Sequence, residues 1–184
     1  MKRIFDFIVS FYSVLLLIPF FILIGVAIKL DSKGPVLFKQ KRVGYLGNPF
    51  FIFKFRSMVQ NSENIGPYYT QANDPRVTSV GRFLRRTSLD ELPQLLNVIL
   101  GNMSLVGPRP NVFAQRKDYT QEEWDKRNSV KPGITGLHQA TLRSNSTLEQ
   151  RKKIDLEYVD NHSFFFDLKI ILLTVKQIVL KGGN

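Results

Sequence analysis

The sequence predicts an α+β fold, mainly helical, on three observations. An uncharged apolar run extends from Phe7 to Ile28, two short alternating segments flank a glycine-bearing turn between Val36 and Met58, and helix-length segments follow, punctuated by Gly and Pro. The architecture expected is an N-terminal re-entrant membrane helix kinked at Pro19, a β-hairpin and amphipathic interfacial helices. The chain divides into a membrane segment at 1–30 and a domain at 31–184 whose last helix lies at the interface. At 184 residues there is room for one buried core.

The apolar segment has the hydrophobicity of a membrane element. Its 22 residues, as a straight helix, would run roughly 33 Å against a hydrocarbon thickness of about 30 Å, so length alone does not separate crossing from re-entry. Pro19 lies mid-segment, where it removes a backbone hydrogen bond and crowds the preceding turn, which predicts a kink. Lys2 and Arg3 precede the run and Lys29 and Lys33 follow it. Positive charge stays on the cytoplasmic side, so basic residues at both ends favour a re-entrant hairpin over a single span. A cleavable signal is disfavoured because Gly25-Val26-Ala27 is followed by Ile28-Lys29.

After the turn Asp31-Ser32-Lys33-Gly34-Pro35, strands are expected at Val36–Val43 and Pro49–Met58, joined across Gly44–Asn48. In the second, Phe51, Phe53 and Phe55 alternate with Ile52, Lys54 and Arg56. That pattern assigns the phenylalanines to the core and leaves Lys54 and Arg56 toward solvent. Gln60 to Pro75 reads as a polar loop, and Val80–Arg86 as a short helix with Arg82, Arg85 and Arg86 on one face. Further helices are expected from Asp90 to Leu100, Gln121 to Asn128, Thr147 to Asn161 and Phe164 to Leu180, with a rigid loop at Lys131–Leu137.

Composition bounds the chemistry. There are 26 Lys and Arg against 15 Asp and Glu, a net charge of +11, which favours nucleic acid, an anionic membrane or a phosphorylated substrate. The absence of cysteine excludes disulfides, thiolate metal sites and a cysteine nucleophile, and His138 and His162 are too few for a histidine-rich metal site.

Against this basic background stands the pair Asp90-Glu91. Ser88-Leu89-Asp90-Glu91 matches a capping box, so a structural role is the first reading. With Ser88 as the cap, however, Pro93 would fall where a backbone donor is wanted, whereas a helix starting at Asp90 puts Pro93 harmlessly in the first turn. A carboxylate at that end would be held ionised, as a nucleophile or as a ligand for a hard cation such as Mg²⁺. Phosphoryl chemistry also needs fixed cations. Arg85 precedes the pair and Arg109 is framed by Pro108 and Pro110, while Lys54, Arg76 and Arg143 are further candidates. No nucleotide-binding P-loop or protein-kinase motif set is present.

Four motifs, Asp74-Pro75-Arg76, Gly81 through Gln94, Met103 through Pro110 and Lys131 through Leu137, together resemble the bacterial sugar transferase family of monotopic phosphoglycosyl transferases, in order and over nearly the whole chain. The resemblance implies transfer of a sugar 1-phosphate from a UDP-sugar to a polyprenyl (undecaprenyl) phosphate, with release of UMP, initiating glycoconjugate synthesis. It implies Asp90 as the nucleophile forming an acyl-phosphate intermediate, and Glu91 as the partner carboxylate. Mg²⁺ is implied as cofactor, with Asp90 as its ligand, and Lys54, Arg85, Arg109 and Arg143 as phosphate or nucleotide contacts. The expected location is the cytoplasmic face of a bacterial inner membrane, with membrane lipid and downstream glycosyltransferases as partners and no nucleic acid. Two positions depart from the family pattern. Ile18 precedes Pro19 where serine is common, and Asn102 stands where aspartate is common. The rival readings are a membrane-anchored basic module that binds nucleic acid and a non-catalytic scaffold homologue; the first leaves the acidic pair unexplained, and the intact pair argues against the second.

Overall fold

The computed structural model describes residues 1–62, 65, 66, 71, 74–142 and 146–181. The apolar run lies within helix α1 (Lys2–Asp31), which contains Pro19. Its buried residues fall at its two ends, Asp6 and Ser10 near the start and Ile24 and Ile28 near the finish. Between them Leu15, Leu16, Ile18, Ile22 and Leu23 are exposed. At the first end Lys2 pairs with Asp167 and donates to the Val106 carbonyl at 3.1 Å, while Asp6 accepts from Ser104 Oγ at 2.7 Å. At the other end Ile24 and Ile28 pack with Phe55 and Leu84, and Asp31 accepts from the Val80 amide at 3.1 Å. Both ends of α1 are thus tied to one body of protein.

Strands β1 (Leu37–Val43) and β2 (Pro49–Phe55) form the expected antiparallel hairpin, in register from Leu37 opposite Phe55 to Val43 opposite Pro49. The faces follow the expectation at Phe55, which is buried with Ile28 and Leu84, and depart from it along the rest of the strand. Phe50 and Ile52 are in a core with Val98 and Met103, and Lys54 and Arg56 continue that face inward, whereas Phe51 is 57% exposed. Burial of the two cations is tolerated because each meets fixed acceptors. Arg56 donates to the Ser32 and Lys33 carbonyls at 2.7 and 2.9 Å, beyond the end of α1, and Lys54 meets Glu91.

Helix α2 (Ser79–Arg86) starts at Thr78, whose hydroxyl accepts from the Gly81 amide at 3.0 Å. Gly81 is required by close approach: a Cβ there would lie 2.0 Å from the Ser57 carbonyl oxygen, so the helix rides directly on the backbone after β2. Its three arginines do not share one environment, since Arg82 and Arg86 are exposed and Arg85 is half-buried.

The next element departs from the expected helix at Asp90. Ser88 takes a left-handed conformation (φ 58°), Leu89–Glu91 form a 3₁₀ turn, and α3 (Gln94–Ile99) begins only after Pro93. Pro93 sits at the cap position, where its missing donor costs nothing. The tighter turn separates the directions of Asp90 and Glu91 by about 120°, because the 3₁₀ geometry has three residues per turn.

Strand β3 (Ser104–Val106) pairs in parallel with β4 (Gly133–Thr135), so the segment expected as a loop at 131–137 contributes a strand. Gly107 and Gly133 make this pairing sterically feasible. A Cβ on Gly133 would lie 2.1 Å from the Gly107 nitrogen, and one on Gly107 would lie 2.3 Å from the Lys131 carbonyl oxygen. Helices α4 (Gln121–Asn128), α5 (Leu137–Thr141), α6 (Leu148–Asn161) and α7 (Phe164–Lys181) complete the chain. Thr120 and Thr147 cap α4 and α6 with reciprocal glutamate and glutamine bonds. Helix α7 buries Ile170 in a core with Val106, Ala140 and Tyr158, while Phe165, Leu172 and Val175 face outward.

Candidate active site

Glu91 is the electrostatic centre of the site. Its Oε1 accepts from Lys54 Nζ and Arg109 Nη2, each at 2.6 Å, and its Oε2 accepts from Arg109 Nη1 at 3.3 Å. The Arg109 contact is a bidentate fork, the geometry that guanidinium and carboxylate match best. Burial pushes the Glu91 pKa up, but the charges and hydrogen bonds of Arg109 and Lys54 together outweigh it and hold this carboxyl well below its ordinary range. Lys54 responds differently: burial lowers its ammonium pKa even though Glu91 opposes that shift.

Asp90, one residue earlier, is 7% exposed and has no hydrogen-bond partner for its carboxylate among the described residues. Burial raises its pKa, with Lys54, Arg85 and Arg109 opposing and the neighbouring Glu91 charge adding to the rise. The helix start expected to favour the ionised form of Asp90 is not formed there. The 3₁₀ turn replaces that start, and desolvation outweighs the cations around the carboxyl.

The structure brings Lys54, Arg85 and Arg109 into the electrostatic surroundings of Asp90. Arg85 donates from Nε to Ser57 Oγ at 2.8 Å, which orients its guanidinium from the α2 side. Arg76 is paired with Asp74 at 2.7 Å and donates to the Ser62 carbonyl at 3.1 Å, so it braces the preceding loop. Arg143 lies outside the described residues.

Three contributors were not singled out by sequence reasoning. Arg42 is opposite Phe50 in the hairpin and therefore shares the inward face with Lys54. Burial, and then the Arg109 charge, push its pKa down to about 10 against the pull of Glu91. The hairpin register implied by the Gly44–Asn48 turn was the available signal. Asn97, fully buried on α3, accepts from the Phe53 amide at 2.9 Å and donates to the Phe51 carbonyl at 2.7 Å. It pairs with β2 as a neighbouring strand would, locking the strand that carries Lys54 to the helix that follows Asp90-Glu91. Arg127, paired with Asp155 at 2.8 Å, donates to the Arg109 carbonyl at 2.6 Å and fixes the turn from behind. Nothing in local sequence links Asn97 or Arg127 to the site, because both act across long chain separations.

The group can hold a divalent cation only in a restricted way. Both Glu91 oxygens are engaged, and among the described residues no three acidic, histidine or cysteine side chains cluster. Asp90 is the available hard oxygen ligand. Mg²⁺ commonly uses one or two carboxylates and takes its remaining ligands from water and substrate phosphates, so Asp90 fits it when a phosphorylated substrate is present.

Comparison with known proteins gives a consistent result. The family model described as bacterial sugar transferase matches residues 1–181. A UDP-glucose:undecaprenyl-phosphate glucose-1-phosphate transferase of Escherichia coli (strain K12) is 47% identical over 95% of this chain and 39% of its own length. An undecaprenyl-phosphate glucose phosphotransferase of Komagataeibacter xylinus is 45% identical over 96% of this chain and 35% of its own. The exopolysaccharide production protein PSS of Rhizobium leguminosarum bv. phaseoli is 42% identical over 99% of this chain and 96% of its own. The chain thus spans under two fifths of the first two relatives and nearly all of the third, and the family model matches the chain almost end to end. It belongs to the bacterial sugar transferase family.

Proposed function

We propose that this chain transfers a sugar 1-phosphate from a UDP-sugar to undecaprenyl phosphate at a membrane surface. The observation that carries the proposal is the division of labour at the Asp90-Glu91 turn. One carboxylate is fully engaged by cations, and the other is left unpartnered beside the same cations. In the first step an Asp90 oxygen attacks the sugar-bearing phosphorus of the donor. A P–O bond forms as the bond to the bridging oxygen breaks, and UMP leaves with the electron pair. In the second step an oxygen of the lipid phosphate attacks the same phosphorus, the acyl–phosphate bond breaks, and the Asp90 carboxylate is restored. The products are UMP and a sugar-diphosphate lipid.

The cations serve both steps, since phosphoryl transfer depends on positioning and on charge stabilisation around the transferred group. Glu91 acts as the counter-ion that keeps Lys54 and Arg109 aligned before the diphosphate arrives. Asp90 is the residue that would hold Mg²⁺, whose charge would offset that of the diphosphate. The raised proton affinity of Asp90 makes its ionisation sensitive to these neighbours.

The membrane assignment is part of the same proposal. Segment 1–30 enters and leaves the bilayer on one face, and 31–184 stays on the cytoplasmic side with α7 at the interface. This reading is supported by the attachment of both ends of α1 to one body and by the exposed apolar stretch between them. A helix crossing the hydrocarbon region would separate those ends by about 30 Å of membrane.

The test is UMP release from a panel of UDP-sugars, beginning with UDP-glucose, in the presence of polyprenyl phosphate and Mg²⁺. Wild type should release UMP and carry a sugar-phosphate mass adduct when the acceptor is withheld. Asp90→Asn should do neither. Absence of UMP release from every donor would remove the enzymatic reading.

A further inference from the structure

A second cationic cluster lies at the first turn of α1. Lys2, Arg3, Asp6, Ser129, Lys131 and His162 line a cavity of about 280 Å³, and none of Lys54, Asp90, Glu91 or Arg109 borders it. The acids nearby are already committed. Asp6 accepts from Ser104 Oγ and the Leu105 amide, and Asp167 pairs with Lys2 and accepts from Tyr158 at 2.7 Å. Arg3 donates to the Val98 and Ile99 carbonyls at the end of α3. Half-buried Lys131 has no hydrogen-bond or ion-pair partner among the described residues.

These two cations converge. A methyl group on Gly101 would meet Arg3 Nη2 at 3.2 Å and Lys131 Nζ at 3.9 Å. The charges therefore sit within about 7 Å of each other, and the Asp6 carboxylate in the same cavity bonds to neither of them, being taken by Ser104 Oγ and the Leu105 amide, an arrangement that favours a further negative group. Burial, and then the Arg3 charge, lower the Lys131 pKa against the pull of Asp6. The surroundings specify what carries that anion. Ile4, Phe7 and Ile8 on α1, Leu100 after α3 and Phe165 on α7 are all exposed large apolar side chains. A phosphate joined to an apolar tail satisfies both features, and basic pockets beside membrane helices take lipid headgroups for this reason.

We propose that this pocket binds the phosphate of an anionic phospholipid between Arg3 and Lys131, with the acyl chains along the exposed side of α1. The site is separate from the acceptor phosphate site at Asp90. It seats the first turn of α1 at the membrane surface. The proposal rests on the membrane reading above, and the experiment separates the two.

The full chain, purified in neutral detergent, is presented with phosphatidylglycerol, phosphatidylcholine or inorganic phosphate, and adducts are counted by native mass spectrometry. Wild type should retain one phosphatidylglycerol, at least tenfold in preference to phosphatidylcholine. Lys131→Gln should lower that retention at least tenfold. Lys131→Arg should keep it, as should Lys117→Gln, which removes an exposed charge elsewhere. Equal retention by Lys131→Gln, or equal loss in Lys117→Gln, overturns the pocket. Retention of inorganic phosphate as firmly as the lipid overturns the lipid assignment. Flotation with phosphatidylcholine vesicles reports the apolar segment alone. Failure of wild type to float there removes the membrane reading, whereas flotation without any preference for phosphatidylglycerol removes only the pocket.

Discussion

Asp90 and Glu91 are neighbours in the chain and inhabit opposite surroundings. Glu91 faces Lys54 and Arg109 at 2.6 Å each and is held ionised by them. Asp90, turned away by the 3₁₀ geometry, is buried without a hydrogen-bond partner among the described residues and is pushed toward its protonated form. One carboxylate organises the cations, and the other remains chemically uncommitted. A single turn can therefore separate the roles of two acids when its pitch sends their side chains to different neighbours.

The largest expected effect falls on the uncommitted acid. Asp90→Asn should reduce sugar-phosphate transfer by about 10³-fold or more, the scale on which loss of a nucleophile acts. Residual turnover near wild type would reassign the nucleophile. Removing a cation from the committed acid should cost less. Lys54→Met or Arg109→Met should each lower kcat by about 10²-fold, as loss of one transition-state charge contact does. Equal kcat values with raised KM would shift both residues to substrate binding alone.

Stability should separate the two acids by sign. Asp90 has a raised pKa, so the folded state binds its proton more tightly than the unfolded chain, and stability falls as pH rises from the ordinary carboxyl range through the folded value. Asp90→Asn should thus raise stability at neutral pH by about 1 kcal/mol, with the gain fading as pH falls through the raised folded value and gone below the ordinary carboxyl pKa. Glu91 has a lowered pKa, so its contribution is present above the ordinary carboxyl range and lost as pH falls through the lower folded value. Glu91→Gln should destabilise at neutral pH by about 1–3 kcal/mol, because Lys54 and Arg109 lose their counter-ion. Thermal unfolding of both variants across pH 3–8, a range spanning about four units from the ordinary carboxyl values, checks the opposing signs. Shifts of the same sign would end the contrast.

The same raised pKa predicts the pH profile. The acidic limb of kcat/KM should lie above the ordinary aspartate value, since Asp90 must lose its proton to attack. A limb at or below that value would mean that Mg²⁺ restores ionisation in the free enzyme. The smallest effect on turnover is expected at Asn97. Asn97→Ala strands the Phe53 amide and the Phe51 carbonyl and should cost about 2 kcal/mol, together with a modest loss of kcat as Lys54 loses its alignment.

Much of the fold was legible locally. Gln121–Asn128 and the helix after Thr147 are bounded by capping residues that act within a few positions, and the hairpin is bounded by its Gly44–Asn48 turn. Alternation in β2 identifies two faces without saying which is covered, and toward Phe55 both are. Phe51 points outward, and Lys54 points inward because an acid from a distant turn receives it. The strand at Gly133–Thr135 is too short to carry a periodic signal, and its partner lies almost thirty positions away.

By itself the sequence determined the apolar segment with basic flanks, the hairpin, the capped helices and the Asp90-Glu91 motif, because each depends on side chains close together in the chain. Only tertiary structure decided that Lys54 and Arg109 would meet on Glu91 while Asp90 stayed apart. It also decided that Arg42, Asn97 and Arg127 would frame the site and that Arg3 and Lys131 would converge at the other end of α1. Charge and burial act through space, and residue spacing along the chain does not encode which cations will share one carboxylate or be left without one.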